Sequence, residues 1–217
     1  MSIDPETLRQ IEELAADERP LLVLDVDDVL LDFIKPFPTY LQRHGCRLDF
    51  RSFRLTGNII EIETGVAVEQ PRVRQLLDGF FDAQTEWQTL VEGAADSLAL
   101  IARGAEIVLL TAMPHRHRDT RRRHLDGLGL TYPLLTTEMS KGPAVRRLRG
   151  ETGRPVAFVD DMLHNLASAR EHVADAHLFH LVADISLREM QPPAGDDIHV
   201  VEDWRDAAGR IAPALGL

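Results

Sequence analysis

The chain of 217 residues contains a single cysteine, Cys46, and this scarcity excludes two kinds of site. One thiol cannot form an intrachain disulfide, and it cannot supply a cluster of thiolates for zinc. We expect Cys46 to be a packed or partly exposed small residue rather than a nucleophile. The cysteine content therefore gives no argument for export.

Long apolar stretches are also missing. No apolar run approaches the roughly 18 residues that a membrane-spanning helix needs. Residues 1–20 are charged and helical in pattern, without the basic start and apolar segment of a signal peptide. We therefore expect a cytoplasmic protein without a membrane partner.

Basic side chains are outnumbered by acidic ones. The chain has 24 Lys and Arg against 35 Asp and Glu, a formal net charge of -11 at pH 7. This excess opposes non-specific binding to a nucleic-acid polymer, although a local basic patch could still meet a small anion. The hydrophobic content of 44% is ordinary for a globular protein, and the length suits one domain plus an insertion. Oligomeric state stays open.

An apolar run at 21–24 ends in acid, with Asp25, Asp27 and Asp28 following within four residues. Such a run is typical of a buried strand whose carboxyl end opens into an active site. The competing interpretation is a strand followed by a solvated acidic turn. The rest of the chain has to decide between the two.

From Gly93 onward, predicted strands and helices alternate. The strands are expected at 106–110, 132–135, 156–159, 178–182 and 198–201, and the helices at 94–103, 115–125, 143–149, 163–172 and 203–214. This order requires right-handed crossovers and a parallel sheet that is covered on both faces. The predicted fold class is α/β, a doubly wound parallel sheet, with residues 1–34 and 93–217 as its core. Residues 35–92 are predicted to be a small, mainly helical cap inserted after the first strand, without a further convincing strand.

Polar side chains, and the backbone N–H of Ala112, are predicted where four successive elements of this core meet one edge of the sheet. In chain order they are Asp25 and Asp27, then Thr111 and Ala112, then Lys141 at a helix start, then Asp160 and Asp161. Ligands of open parallel sheets bind at this edge, outside the carboxyl ends of the strands. Converging carboxylates repel one another, and a hard divalent cation with oxygen ligands relieves that repulsion. We predict a magnesium site that shares its shell with a substrate phosphate.

These motifs resemble those of the haloacid dehalogenase-like (HAD) superfamily of phosphotransferases. The resemblance rests on Asp25-x-Asp27-x-Val29-Leu30, then Thr111, Lys141 and Asp160-Asp161, and it covers residues 21–165 with a cap after the first motif. The second Asp of the first motif, Asp27, is similar to the pattern of the capped phosphatase branch and of the phosphomutase branch. The resemblance thus implies a Rossmann-like core and phosphoryl chemistry.

The resemblance also implies a role for each matched residue. Asp25 would attack phosphorus and form an aspartyl-phosphate, and Asp27 would protonate the leaving oxygen and then activate water. Magnesium would be held by Asp25, the carbonyl of Asp27 and a carboxylate at 160–161. Thr111, the Ala112 N–H and Lys141 would hold the phosphoryl oxygens.

Two positions depart from the superfamily pattern. Asp160 stands where Gly is frequent, so Asp161 matches the usual metal ligand, and Asp160 either supports it or shares the metal. Asn165 replaces a further Asp, and Asp28 replaces a Gly that is common in the deoxyribonucleotidase-like branch. Asp-Asp-x-x-x-Asn is nevertheless similar to the form found in the 5′(3′)-deoxyribonucleotidase-like branch, which favours a nucleoside monophosphate as substrate.

Side chains of the cap are candidate substrate contacts. Basic residues dominate 35–57, and we single out Arg51, Arg54 and the aromatic Phe33, with Asn165 near the metal. His115 and His117 lie near the predicted mouth, but the arginines around them indicate a solvated basic face. We interpret Asp28 as a turn residue that leads into the cap and not as part of the acidic cluster.

The leading hypothesis is a magnesium-dependent phosphomonoesterase for a small phosphorylated metabolite. The first alternative is a phosphatase for a sugar phosphate or another small metabolite. A phosphomutase would need a cap that retains its product, a property that the sequence does not reveal. A non-catalytic binding module with the same fold is the alternative from another class, and the intact motif residues argue against it.

Overall fold

The computed structural model describes residues 2–49, 55–182, 184 and 193–217. Asp4 caps helix α1 (Pro5–Glu12), because its carboxylate accepts the Glu6 N–H at 3.0 Å. Of the helices in the described residues, none is long and apolar enough to cross a membrane.

The core is a six-stranded sheet in which every neighbouring pair of strands is parallel. Its spatial order is β5-β4-β1-β6-β7-β8. In chain order its strands are β1 (Leu21–Leu24), β4 (Glu106–Thr111), β5 (Leu134–Thr136), β6 (Val156–Asp160), β7 (His177–Leu181) and β8 (Ile198–Val201). The strand order reverses at β1, which pairs with β4 on one side and β6 on the other. The carboxyl end of β1 is therefore where this fold class binds ligands.

Helices cover both faces of the sheet, which explains why β1 is apolar at every position. Leu22 and Leu24 pack into the core on one face, and Leu21 and Val23 pack into the core on the other. The core helices are α5 (Ala94–Ile101), α6 (Arg118–Gly127), α7 (Gly142–Arg149), α8 (Leu163–His172) and α9 (Trp204–Ala214), and a short 3-10 helix (His115–His117) precedes α6. The predicted doubly wound α/β class is confirmed.

The inserted segment, residues 35–92, has a hydrophobic cluster of its own. It contains α2 (Phe37–Arg43), β2 (Cys46–Leu48), β3 (Ile59–Glu61), α3 (Gln70–Asp82) and α4 (Gln84–Trp87). Phe37, Tyr40 and Phe80 form the aromatic centre of the cluster, with ring centroids 5.1–6.1 Å apart. Cys46 is buried there, as a packed residue.

The expectation of no strand in the inserted segment was wrong. β2 and β3 pair antiparallel, with Cys46 opposite Glu61 and Leu48 opposite Ile59. Each strand has only three residues, so neither is long enough to show the alternation by which a strand is recognised in a sequence. The boundaries of the inserted segment at residues 34/35 and 92/93 stay a prediction.

Candidate active site

The backbone around Asp25 places its side chain at the carboxyl edge of the sheet. The Asp25 N–H donates to the Val159 carbonyl at 2.9 Å, so pairing with β6 continues one residue beyond β1. The chain then turns sharply, because the N–H groups of Leu30 and Leu31 both donate to the Val26 carbonyl, at 2.8 and 2.9 Å. This turn leaves Asp25 at the base of the site.

Asp28 makes the turn possible and is a structural residue. It has a positive φ of 56°, in the left-handed region that Asp tolerates better than most residues. Its buried carboxylate accepts the N–H groups of Phe33 at 2.8 Å and Ile34 at 3.0 Å. Burial raises the pKa of Asp28 to about 7, although these two hydrogen bonds oppose the shift. This geometry agrees with the prediction that Asp28 is a turn residue.

A buried charge cluster surrounds Lys141, the residue that caps the N-terminus of α7. Its ammonium lies 2.7 Å from Asp25 Oδ1 and 2.7 Å from Asp160 Oδ2. Burial disfavours the ammonium form, but the two carboxylates outweigh it and raise the pKa of Lys141 above its ordinary value. Lys141 is therefore a permanent cation at the end of β1.

Asp160 has its hydrogen-bonding capacity filled by the protein. Its Oδ1 accepts the Met162 N–H at 2.9 Å and the Asn165 amide at 3.0 Å, while its Oδ2 accepts Lys141. Asp161 follows directly and is partly exposed at the cleft. Of the two roles left open from the sequence, these contacts favour a supporting one for Asp160. Asn165 donates to Asp160 and also lines the cleft.

Three carboxylates could hold a metal ion at this point. One oxygen each of Asp25, Asp160 and Asp161 lies within 4.8 Å of the others. Burial raises the pKa of Asp25 to about 7, against the ammonium of Lys141, and burial with the charges of Asp160 and Asp25 raises that of Asp161. Oxygen ligands that repel one another fit a hard divalent cation such as magnesium.

Asp27 lies two residues beyond Asp25 but in a different environment. Its Oδ1 accepts the Gln88 amide at 2.8 Å and forms an ion pair with Arg121 at 2.9 Å. Its Oδ2 accepts the Thr111 hydroxyl at 3.3 Å. Asp27 therefore lies beside the cluster around Lys141 and has a cationic partner of its own, Arg121.

The structure brings the predicted phosphate-binding residues to this edge. Thr111 is the last residue of β4 and is buried, while Ala112 lines the cleft in front of it. The pairing of β4 with β1 sets their position relative to Asp25.

A cleft of about 750 Å³ opens in front of these groups. Asp25, Asp27 and Asp161 lie along it, and Phe33 and Phe81 form apolar parts of its wall. Its polar wall includes Arg74 and Asp78 of α3 and Arg116 of the 3-10 helix that follows β4. Arg51 and Arg54, the basic residues predicted to contact substrate, lie outside the described residues.

The helical segment at 115–125 does not present the solvated basic face that we expected. His117 is only 3% exposed and lies 3.0 Å from both Asp78 and Asp82 of α3. Arg121 is fully buried, and Arg118 donates to the Leu134 carbonyl at 3.0 Å. The expectation failed because a run of basic residues does not reveal which of them face buried acceptors.

Sequence analysis missed the surroundings of Asp27. Arg121, Gln84 and Gln88 all bond within one buried group, and none was a candidate. The spacing of Gln84 and Gln88 by four residues was the available signal, since it puts two amides on one side of a helical turn.

Comparisons with known proteins define the fold. No family model matches the sequence, and no curated protein matches it. A conserved haloacid dehalogenase-like protein of unknown function from Agrobacterium tumefaciens superposes with a TM-score of 0.63 at 16% identity, over 90% of this chain and 98% of the other.

Two further solved structures are similar. YfnB from Bacillus subtilis, described as a HAD-hydrolase bound to magnesium, has a TM-score of 0.63 at 13% identity, over 93% of this chain and 100% of its own. A protein from Lactobacillus plantarum that is assigned as a phosphoglycolate phosphatase has a TM-score of 0.60 at 10% identity, over 89% and 99% of the two chains. The chain therefore has the fold of the haloacid dehalogenase-like hydrolases.

Proposed function

We propose that the protein is a phosphomonoesterase of the HAD type that works through an aspartyl-phosphate. The observation that carries this proposal is the contact of Asp25 with the buried ammonium of Lys141, at 2.7 Å, on the floor of the cleft. A carboxylate beside a fixed cation can meet an anionic phosphoryl group without prohibitive repulsion. The fold shared with HAD hydrolases supports the same chemistry.

In the first step, a carboxylate oxygen of Asp25 forms a bond to phosphorus while the bond from phosphorus to the leaving oxygen breaks. Asp27 gives its proton to that leaving oxygen. In the second step, water attacks phosphorus, Asp27 takes a proton from the water, and the bond between phosphorus and Asp25 breaks. Lys141, the Thr111 hydroxyl and the Ala112 N–H hold the phosphoryl oxygens.

Magnesium fits the acidic cluster. Asp25, Asp161 and the carbonyl of Asp27 would hold the ion, with Asp160 supporting Lys141 and the loop that carries Asp161. Bound there, the ion supplies positive charge that stabilises the transferring phosphoryl group. The magnesium-bound state of the Bacillus subtilis neighbour supports this assignment.

A nucleoside monophosphate is the favoured substrate. The volume of the cleft, about 750 Å³, is in the range of small-molecule sites. Phe33 and Phe81 offer aromatic surface beside the carboxylates, and a planar base can pack against such rings. Phe33 also packs at 5.1 Å, centroid to centroid, on Phe37 of the inserted segment, which fixes its position.

A small acidic phosphometabolite is the second candidate. Arg74 lines the cleft, and within the described residues no carboxylate lies within ion-pair distance of it. A carboxylate on the substrate would pair with this guanidinium. The assignment of the Lactobacillus plantarum neighbour as a phosphoglycolate phosphatase agrees with such a substrate.

Hydrolysis of p-nitrophenyl phosphate, with and without magnesium, tests the proposal. We expect magnesium-dependent turnover, and we expect Asp25→Asn to lower it by about 10³-fold or more because the nucleophile is lost. Asp32→Asn is the matched control, since Asp32 lies in the same loop and bonds Thr89 and Lys35 instead. A folded wild type without turnover would reject the enzyme in favour of a binding module.

A substrate panel then separates the two candidates. We expect nucleoside monophosphates to give a higher kcat/KM than sugar phosphates or phosphorylated acids, and Phe33→Leu to raise KM for the nucleotides. A preference for phosphorylated acids that Arg74→Gln abolishes would replace the nucleotide assignment with the second candidate.

A further inference from the structure

Arg121 is a fully buried cation that the steps above do not use. It lies on α6, and its side chain carries a guanidinium with five N–H donors. A buried charge is costly unless specific partners compensate it. The identity of those partners therefore indicates what the residue does.

The partners of Arg121 converge on Asp27. Its Nη2 lies 2.9 Å from Asp27 Oδ1 and donates to Gln88 Oε1 at 3.1 Å, while its Nε donates to Gln84 Oε1 at 2.5 Å. Gln88 closes the ring by donating from Nε2 to the same Asp27 oxygen at 2.8 Å. Both glutamines are buried, so solvent does not compete for these bonds.

This ring makes the two oxygens of Asp27 unequal. Oδ1 accepts one N–H from a guanidinium and one from an amide, and neither donor group can accept a proton back through those atoms. Among the residues that the structure describes, Oδ2 has one hydrogen bond, the longer contact with the Thr111 hydroxyl at 3.3 Å. Oδ2 is therefore the less constrained of the two oxygens, and it is the one available to face a substrate.

We propose that Arg121 is a positioning residue that holds Asp27 by Oδ1 and so directs Oδ2 at the leaving oxygen in the first step and at water in the second. This inference rests on the proposed function, since it assumes the proton transfers assigned to Asp27. The guanidinium fork suits the task because it fixes an orientation as well as a charge.

Arg121 also contacts the wall of the cleft. Its guanidinium carbon lies 5.7 Å from the ring centroid of Phe81, and Gln84 donates to the Phe81 carbonyl at 2.6 Å. The same buried group thus sets the place of Asp27 and of one aromatic side chain beside it. A purely structural role would not depend on which leaving group the substrate carries.

Two aryl phosphates of similar shape provide the test. p-Nitrophenolate leaves with little help from an acid, whereas the more basic phenolate of phenyl phosphate needs a proton. We expect Arg121→Met to lower kcat/KM for phenyl phosphate by about 10²-fold and that for p-nitrophenyl phosphate by less than about tenfold. Arg121→Lys keeps the charge without the fork, and we expect it to fall between Arg121→Met and wild type on phenyl phosphate.

Arg118→Met is the matched control on the same helix, because Arg118 bonds the Leu134 carbonyl and does not contact Asp27. We expect both substrates to stay within about twofold of wild type in this variant. Equal losses on the two substrates in Arg121→Met, or no loss, would overturn the positioning role. An inactive wild type would instead remove the proposed function and this inference together.

Gln88→Leu keeps the inference testable if Arg121→Met does not fold. It removes one donor to Asp27 Oδ1 and leaves the ion pair with Arg121. We expect a smaller loss, again selective for phenyl phosphate. A loss shared equally by the two substrates would count against the proposal here as well.

Discussion

Two ion pairs, one fully buried and one partly buried, involve carboxylates two residues apart at the end of β1. Asp25 lies 2.7 Å from Lys141, and Asp27 lies 2.9 Å from Arg121. Lys141 is shared with a second carboxylate, that of Asp160, whereas the other partners of Arg121 are neutral amides. Among the described residues, two carboxylates therefore pair with the one ammonium of Lys141, whereas one carboxylate pairs with Arg121.

The difference suggests that the two pairs do different work. A compact ammonium among several carboxylates leaves room for a further cation and for an anionic phosphoryl group. A guanidinium that bonds one carboxylate and two amides through Nε and Nη2 fixes an orientation instead. In our account, the first pair serves covalent chemistry and the second serves proton transfer.

The largest expected effect is on stability, and it tests whether the two ion pairs differ. Lys141→Met leaves Asp25 and Asp160 buried without their cation, and we expect the free energy of unfolding to fall by about 3–5 kcal/mol. Arg121→Met leaves only Asp27, whose side chain is 20% exposed and keeps its bond to Gln88. We expect about half the loss there. Urea denaturation without magnesium measures both, and an equal or larger loss in Arg121→Met would break the comparison.

The next effect concerns magnesium and pH. The pKa of Asp25 is about 7 in the folded protein against an ordinary 3.8, so the folded state keeps a proton that the unfolded state releases. The free energy of unfolding of the metal-free protein should therefore fall as pH rises between these values, and magnesium should reverse the loss. At 100 times its Kd, magnesium would add about 2.7 kcal/mol.

Calorimetry at pH 6 and pH 8 checks this expectation. We expect magnesium to raise Tm more at pH 8, where Asp25 no longer holds a proton. Burial also raises the pKa of Asp28 to about 7, but Asp28 accepts two backbone N–H groups in the turn and should respond equally with and without the ion. Asp161→Asn should abolish most of the magnesium effect, and a shift that is equal at both pH values would contradict the account.

The smallest expected effect is a difference between two neighbouring substitutions in how they change the free energy of unfolding. Asp27→Asn leaves Arg121 buried among neutral partners, and we expect it to cost about 1–3 kcal/mol of stability. Asp25→Asn removes repulsion from Asp160 while Lys141 keeps one carboxylate, so the free energy of unfolding at pH 8 without magnesium should stay unchanged or rise. A similar loss in both variants, measured by urea denaturation, would show that the two pairs are equivalent.

The sequence alone predicted that Asp25, Lys141 and Asp160 lie at one edge of the sheet, but it predicted neither their ion pairs nor the pair of Asp27 with Arg121. Asp25, Lys141 and Asp160 each follow or precede a recognisable element, and a parallel sheet brings such ends to one edge. Arg121 sits within a run of arginines on a helix, and its burial depends on Gln84 and Gln88 from the distant inserted segment. Local pattern does not carry that information.

The same reasoning explains the other differences in the fold. The long elements of the core were predicted because buried strands and amphipathic helices have clear periods. β2 and β3 were missed because three residues show no period. The conformation of Asp28 was hidden for a different reason, since a positive φ at a residue other than Gly is set by the turn around it.

Acid-quenching the enzyme during turnover of p-nitrophenyl phosphate tests the central claim most directly. Peptide mass spectrometry of the quenched protein should find one phosphoryl group on Asp25 in the presence of magnesium. The phosphoryl group should be absent from Asp25→Asn. It should be more abundant in Arg121→Met, because water attack on phosphorus is slowed in that variant. Continued turnover with Asp25 unmodified, or a phosphoryl group on another residue, would contradict the account.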